Sequence, residues 1–430
     1  MITRRKFLGV AGATVAFRNE TLSMVDRLLR GVEGVADDED FWMGIRQAFV
    51  VDPNFVNFNN GGCCPSPRIV QDALRRQIEY ANQAPSYYMW QHLEPEVEAV
   101  RRRLASSFGV DAEEIAITRN ASEALENALF GFELAPGDEI LTTNLDYPRM
   151  IETIKQRERR DGVKMVQVRV PAVRTGPGDR WLTDPIERGI TSRTKLILVS
   201  HVSFMNGQIF PIKAIRAIAE KRGVPLIVDG AHAFAQFPFK QADLNCEIYG
   251  VSLHKWLMAP VGTGFLYVAK KRIEDIWSLY AASPEQKANI RKFEEIGTHP
   301  AANHNAIGEA LTFHEMLEPS RKAARLRYLR SRWTGKIQHL PNVQFYTGLS
   351  EQDSCGLTTV GIKGIPTADL HKWVFEKHGI YCTSILTPGE GAGGPPLIDG
   401  LRVSPNVYTT VSEVDRFGAA MLSAAERGIA

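Results

Sequence analysis

The sequence holds little that would suit a membrane, a polyanion or a disulfide framework. The apolar stretch near its N-terminus, Leu8 to Phe17, is too short to span a bilayer. Lysine plus arginine (51) barely exceeds aspartate plus glutamate (49), a net charge of +2. No basic stripe or nucleic-acid motif accompanies it, so no nucleic-acid partner is expected. Five cysteines in 430 residues, two of them adjacent at Cys63 and Cys64, offer no Cys-x-x-Cys spacing. Neither a disulfide set nor a metal site is therefore expected. There is no internal repeat and no low-complexity linker. What is present is an apolar fraction of 44% in a chain long enough for one large and one smaller globular domain.

Apolar residues at helical spacing (Leu22, Val25, Leu28 and Leu29, then Phe41, Ile45 and Phe49) predict a helical segment over 19–50. Phe55 to Pro67 reads as a short strand breaking into a glycine and proline loop. Pro85 to Trp90 reads as an aromatic loop, followed by a helix over 94–108. From residue 114 onward, continuous Val/Ile/Leu runs alternate with helical patterns. Strands are predicted at 114–120, 138–144, 164–170, 195–203 and 225–230, with helices at 148–161, 184–189 and 212–222. That alternation predicts an α/β fold with a largely parallel sheet covered on both faces. Ligands of such sheets bind beyond the carboxyl ends of the strands. Asn120, Asp146, His201 with Ser203, and Asp229 all fall at or just past those ends. After residue 270 a long helix is expected from about 306 to 337, then strands and a closing helix at 411–427. The expected division is a large domain over 51–285 and a small α+β domain over 286–430. The glycine- and proline-rich stretch Leu386 to Leu397 reads as an active-site flap.

The chemistry concentrates in residues 224–268. An apolar strand ends in Asp229, and a second apolar stretch leads to Ser252, His254 and Lys255. A lysine in apolar surroundings is costly to keep charged, and its neutral amine is the nucleophile that forms a Schiff base with an aldehyde. Pyridoxal phosphate is the aldehyde that needs such a lysine together with an acid for its ring nitrogen, for which Asp229 is the candidate.

Val251-Ser252-Leu253-His254-Lys255-Trp256, then Pro260-x-Gly262-Thr263-Gly264, with Asp229-x-Ala231-His232 upstream, carry a resemblance. Over about residues 50–425 the chain resembles the class V aminotransferases, pyridoxal-phosphate enzymes of fold type I, and among them the isopenicillin-N epimerase-like branch. That fold places a mostly parallel seven-stranded-type sheet between helices. The resemblance implies that Lys255 carries the cofactor and moves the α-proton, that Asp229 protonates the ring nitrogen, and that His232 stacks near the ring. It implies a phosphate cradle at Asn120, Ala121 and Ser122, supplemented by Ser252 and His254, with Ser203 on the ring oxygen and Tyr147 close to the ring. Gly297 and Thr298 match a segment that reaches the phosphate of a neighbouring subunit, which implies a homodimer with shared active sites. Arg402 matches the arginine that grips the substrate carboxylate, beside the turn at Asn60 and Gly61. A guanidinium fork suits that task physically.

The expected activity lies at the α-carbon of an amino acid or an amino-acid-derived substrate of peptide or siderophore type, by aminotransferase or epimerase chemistry. A C–S lyase acting by β-elimination is the alternative, and a non-catalytic binding module on the same fold is the contrary reading. Persulfide chemistry is disfavoured, because the flap holds Thr387 and Pro388 where a nucleophilic cysteine is needed, and Cys382 sits in a strand pattern. Thr3-Arg4-Arg5-Lys6-Phe7-Leu8 resembles a twin-arginine export signal over 1–18, which predicts a periplasmic enzyme. Against it, Arg18 interrupts the apolar run and no Ala-x-Ala site follows, so the alternative is a cytoplasmic protein.

Overall fold

The computed structural model describes residues 36–389 and 394–429. The expected export signal, the first half of the predicted helix over 19–50 and the middle of the predicted flap lie outside the described residues. The rest of 19–50 forms a helix at Glu39–Arg46.

Seven strands build the main sheet: β2 (Ile115–Thr118), β3 (Glu139–Thr143), β4 (Lys164–Val168), β5 (Thr194–Ser200), β6 (Leu226–Asp229), β7 (Ile248–Ser252) and β8 (Gly264–Val268). Their order is β2-β8-β7-β6-β5-β3-β4. The run from β7 through β6, β5 and β3 to β4 is parallel, and β8 is antiparallel to both β2 and β7. Most of these strands are buried along their whole length, which is why they read as unbroken apolar runs. Successive residues alternate between two cores. Ile140, Leu196, Leu198 and Ile227 pack under the helices Ala121–Gly131 and Pro148–Asp161. Leu141, Ile197, Val199, Leu226 and Val228 face the other layer, with Arg180–Gly189 and Ile212–Lys221.

A second sheet of four antiparallel strands follows: β9 (Val343–Phe345), β10 (Thr358–Ile362), β12 (Thr383–Leu386) and β13 (Asp399–Val403), in the order β12-β13-β10-β9. It packs on Pro319–Ile337 and Val411–Arg427 in a third core. A short strand β1 (Val56–Asn57) pairs in parallel with β11 (Ile380–Tyr381). Val56 and Phe58 therefore sit in this third core, whereas Ile290, Phe293 and Ile307 to Leu317 pack with the main sheet. The chain thus passes between the main-sheet cores and the third core more than once.

Two local expectations are corrected. The predicted helix 306–337 is two helices, Ile307–Leu317 and Pro319–Ile337, because Glu318 takes a left-handed φ of 59° and Pro319 has no N–H to continue the ladder. The aromatic stretch 85–90 is not a loop. It forms one helical turn (Pro85–Tyr88) and a π-helical turn (Met89–Leu93) that run into Glu94–Phe108. Tyr80, Tyr87, Tyr88 and His92 form a cluster of edge-on and tilted ring contacts there, which favours the helical turn. Among the described residues, no helix is long and apolar enough to cross a membrane.

Candidate active site

At the carboxyl ends of the parallel strands lies a cavity of about 380 Å³, in the range of small-molecule sites. It is lined by eleven of the predicted residues: Gly61, Asn120, Ala121, Ser122, Tyr147, Asp229, His232, Ser252, His254, Lys255 and Arg402.

The floor comes from strand ends. Asp229 is the last residue of β6 and is buried, with one carboxylate oxygen accepting from the Ala231 N–H at 2.9 Å. Burial pushes its carboxyl up to about 6. Lys255 follows the end of β7. Burial pulls its amine down to about 8, with Asp229 opposing and Arg402 reinforcing the shift, which brings the neutral, nucleophilic form within reach near neutral pH. Its Nζ lies 3.0 Å from His232 Nε2. Burial and the lysine charge hold that imidazole well below its ordinary value, so it is neutral. The contact through Nε2 ties the ring to the lysine amine in addition to any face it offers the cavity.

One wall is the N-terminus of the helix Ala121–Gly131. Asn120 caps it by accepting from the Glu123 N–H at 2.9 Å, and Ser252 Oγ accepts from the Ala121 N–H at 2.9 Å. Ser252 thereby ties the helix end to the strand that leads to Lys255. The N-terminal residues Asn120, Ala121 and Ser122 line the cavity, and although the Ala121 and Glu123 amides are taken by Ser252 and Asn120, the positive end of the helix dipole lies at this wall, a natural seat for a phosphate.

The opposite wall belongs to the C-terminal body. Arg402 on β13 is 5% exposed, and burial pulls its guanidinium down to about 10. Its Nη1 donates to the Phe204 carbonyl at 2.9 Å and its Nη2 to Asn59 Oδ1 at 2.7 Å. None of the ion pairs among the described residues involves it, and its Nε has no protein partner. His232 Nδ1 and His254 Nδ1 are likewise buried without a protein partner. All three nitrogens belong to residues that line the cavity.

Four predicted site residues do not line the cavity. Asn60 is spent on the scaffold: its amide donates to the Asn57 and Ser404 carbonyls at 3.0 and 2.8 Å and its oxygen accepts from Tyr408. Its neighbour Asn59 takes the place next to Arg402. Ser203 donates to the Leu145 carbonyl at 3.1 Å, while Ser200, Val202 and Phe204, of the opposite parity, face the cavity. Strand alternation from Ser200 was the signal that would have found them. Gly297 and Thr298 are exposed and stand apart from the cavity. Sequence reasoning also missed Met150 and Thr383 among the lining residues.

Asp146, noted at a strand end, supports the floor. Its buried carboxylate accepts from Thr142 Oγ1, from the N–H and Oγ1 of Thr143, and from the N–H and Oγ of Ser200. The thiols are disfavoured as nucleophiles. Burial raises all five, Cys63 included although Lys255 opposes the shift, and Cys64 Sγ is held by Asn406 Nδ2 at 2.9 Å. Among the described residues, no group of His, Cys, Asp or Glu is placed to hold a metal ion.

A profile of the aminotransferases of class V matches residues 56–417. The chain belongs to the class V aminotransferases. It is 27% identical over 397 residues to isopenicillin N epimerase of Streptomyces clavuligerus, covering 88% of this chain and 97% of that one. It is 24% identical over 292 residues to hercynylcysteine sulfoxide lyase of Schizosaccharomyces pombe, covering 66% and 74%. Among solved structures, a variant of C-DES with glycine covalently linked to its PLP cofactor superposes with a TM-score of 0.77 at 22% identity, over 88% of this chain and 98% of that one. At that identity the superposition bears on the fold alone, which is fold type I. The family's cofactor is pyridoxal phosphate. The cavity's donor set fits it: a buried amine for the aldehyde carbon, a carboxylate for the ring nitrogen and a helix N-terminus for the phosphate.

Proposed function

We propose that this class V enzyme acts at the α-carbon of an amino acid or amino-acid-derived substrate, by aminotransferase or epimerase chemistry. The observation that carries the reading is the uncompensated Arg402 guanidinium in the same cavity as the Lys255–His232 pair. A buried cation with only neutral acceptors attracts an anion, and a planar carboxylate matches its fork. When bound, pyridoxal phosphate supplies an electron-withdrawing ring that weakens the bonds at the substrate's α-carbon. Asp229 would hold the ring nitrogen protonated. Lys255 Nζ carries the proton to and from the α-carbon, positioned by His232 Nε2. Asn120, Ala121, Ser122, Ser252 and His254 would hold the phosphate end, Tyr147 would border the ring, and Arg402 would hold the substrate carboxylate in the cavity that Lys255 shares.

A second reading, β-elimination by a C–S lyase, draws support from the hercynylcysteine sulfoxide lyase relative. Persulfide formation on the enzyme is disfavoured by the protonated thiols and by Thr387, whose Oγ1 is engaged by the Ile398 N–H at 2.8 Å. Incubating holoenzyme with candidate amino acids separates the reactions. Keto acid with pyridoxamine phosphate marks transamination, α-deuterium exchange with inversion marks epimerisation, and pyruvate with a released thiol or sulfenate marks elimination. No turnover at the α-carbon of any carboxylate-bearing amine would sink the proposal.

The enzyme is further proposed to work as a homodimer. The exposed Gly297–Thr298 corner is presented by a segment whose Glu294 is fixed to Arg101 Nη2 at 2.9 Å, and it suits a neighbouring subunit's phosphate. Sedimentation that finds only monomer in the active holoenzyme would refute it. Residues 1–18 are proposed to direct twin-arginine export to the periplasm; replacing Arg4 and Arg5 by lysine should then trap the protein in the cytoplasm.

A further inference from the structure

Arg402 meets Asn59 across 343 positions of sequence. Asn59 lies in the turn between β1 and the helix Arg68–Asn82, and its backbone bridges in parallel to Ser404, two residues beyond Arg402. Its own N–H donates to Asn57 Oδ1 at 2.9 Å, so the turn is braced from within. The side chain lies flat over Gly62: a Cβ at that position would stand 3.1 Å from Asn59 Nδ2 and 3.2 Å from Oδ1. Gly62 itself lines the cavity. The Asn59 amide is thus held between a glycine that must stay small and the guanidinium it accepts from.

We propose that Asn59 is a positioning residue of the carboxylate site, a neutral acceptor that takes one edge of the Arg402 guanidinium and turns the remaining N–H groups toward the substrate. Two of the five guanidinium N–H groups go to Asn59 and to the Phe204 carbonyl. Both acceptors are uncharged, so they fix the fork's orientation without neutralising it. An aspartate at the same place would neutralise it and close the site, whereas asparagine leaves the charge available to the incoming carboxylate. The residue at 59 therefore sets whether the enzyme takes a carboxylate-bearing substrate at all. This inference rests on the proposed role of Arg402.

The test uses holoenzyme and acetate as the anion probe. Arg402 is among the groups that depress the lysine amine, with Asp229 and Cys63 opposing it. In the holoenzyme an anion on Arg402 removes one positive charge from the surroundings of the Lys255 nitrogen, so it is expected to raise the pH midpoint of the cofactor's absorption change, which reports binding without turnover. Asn59→Asp is expected to weaken acetate binding at least 100-fold and to move the midpoint upward even without acetate. Asn59→Ala is expected to weaken acetate binding about 10-fold and to raise KM for a substrate with little change in kcat. A purely structural Asn59 would lower the melting temperature of both variants and leave acetate affinity as in the wild type, which overturns the proposal. Asn59→Ser, smaller and still an acceptor, serves where either variant fails to fold, and is expected to retain part of the acetate affinity. Should Arg402→Ala bind acetate like the wild type, the carboxylate role of Arg402 fails and the inference with it. Loss in Arg402→Ala alone, with both Asn59 variants unchanged, overturns only the role of Asn59.

Discussion

Replacing Asp229 by asparagine separates two effects that the site sets against each other. In the empty cavity the buried carboxylate is destabilising: its pKa rises from 3.8 to about 6, chiefly through burial, with Lys255 and the Ala231 N–H opposing. Folded protein then holds this proton more tightly than the unfolded chain does. The stability is fully present below about pH 4 and is lost as pH rises through about 6. Two units correspond to about 3 kcal/mol, of which roughly half accumulates between pH 5 and pH 8. Asparagine cannot ionise, and it keeps the oxygen that accepts from Ala231. Cofactor-free Asp229→Asn should therefore gain about 1.5 kcal/mol on cofactor-free wild type between those pH values, measured by urea unfolding at each. With cofactor the sign reverses: the variant should bind pyridoxal phosphate more weakly, because it cannot hold the ring nitrogen protonated. A stability gap that is the same at both pH values, with unaltered cofactor affinity, would refute the assignment of Asp229.

Three further outcomes follow from the geometry. Gly230→Ala would drive its Cβ to 1.9 Å from the Tyr249 ring, which cannot swing away because its hydroxyl is bonded to His201 Nδ1 at 2.9 Å; the expected loss is about 3 kcal/mol or more in denaturant unfolding. Asp146→Asn turns an amide N–H toward groups that donate to the carboxylate from Thr142, Thr143 and Ser200, and should cost about 1–3 kcal/mol in the same assay. Arg402→Ala should weaken transition-state binding of a carboxylate-bearing substrate by about 2–5 kcal/mol, read from kcat/KM, while the holoenzyme's absorption remains that of bound cofactor.

What the sequence disclosed was local and periodic. Unbroken apolar runs placed the parallel strands, and the strand ends named Asn120, Asp229 and the lysine segment, because a parallel sheet gathers its ligands at one edge. The Arg402 wall was legible only through the resemblance. What escaped was set by distant contacts. Three asparagines stand within Val56 to Asn60, and which of them meets Arg402 is decided by pairing to β11 and Ser404, far along the chain. Ser203 falls off the cavity lining by parity, since a one-residue step turns a side chain to the other face. The aromatic stretch at 85–90 read as a loop because the ring contacts of Tyr80 with Tyr88 and His92 that accompany its helical turns are tertiary and not carried by propensity.

Borohydride reduction of the holoenzyme followed by peptide mass mapping tests the central claim most directly. Lys255 is buried, pulled toward its neutral form and set beside Asp229 and His232. The account predicts a single phosphopyridoxyl group, fixed on Lys255 and absent from Lys255→Ala. A group fixed on another lysine, or a Lys255→Ala protein that still takes one up, would contradict it.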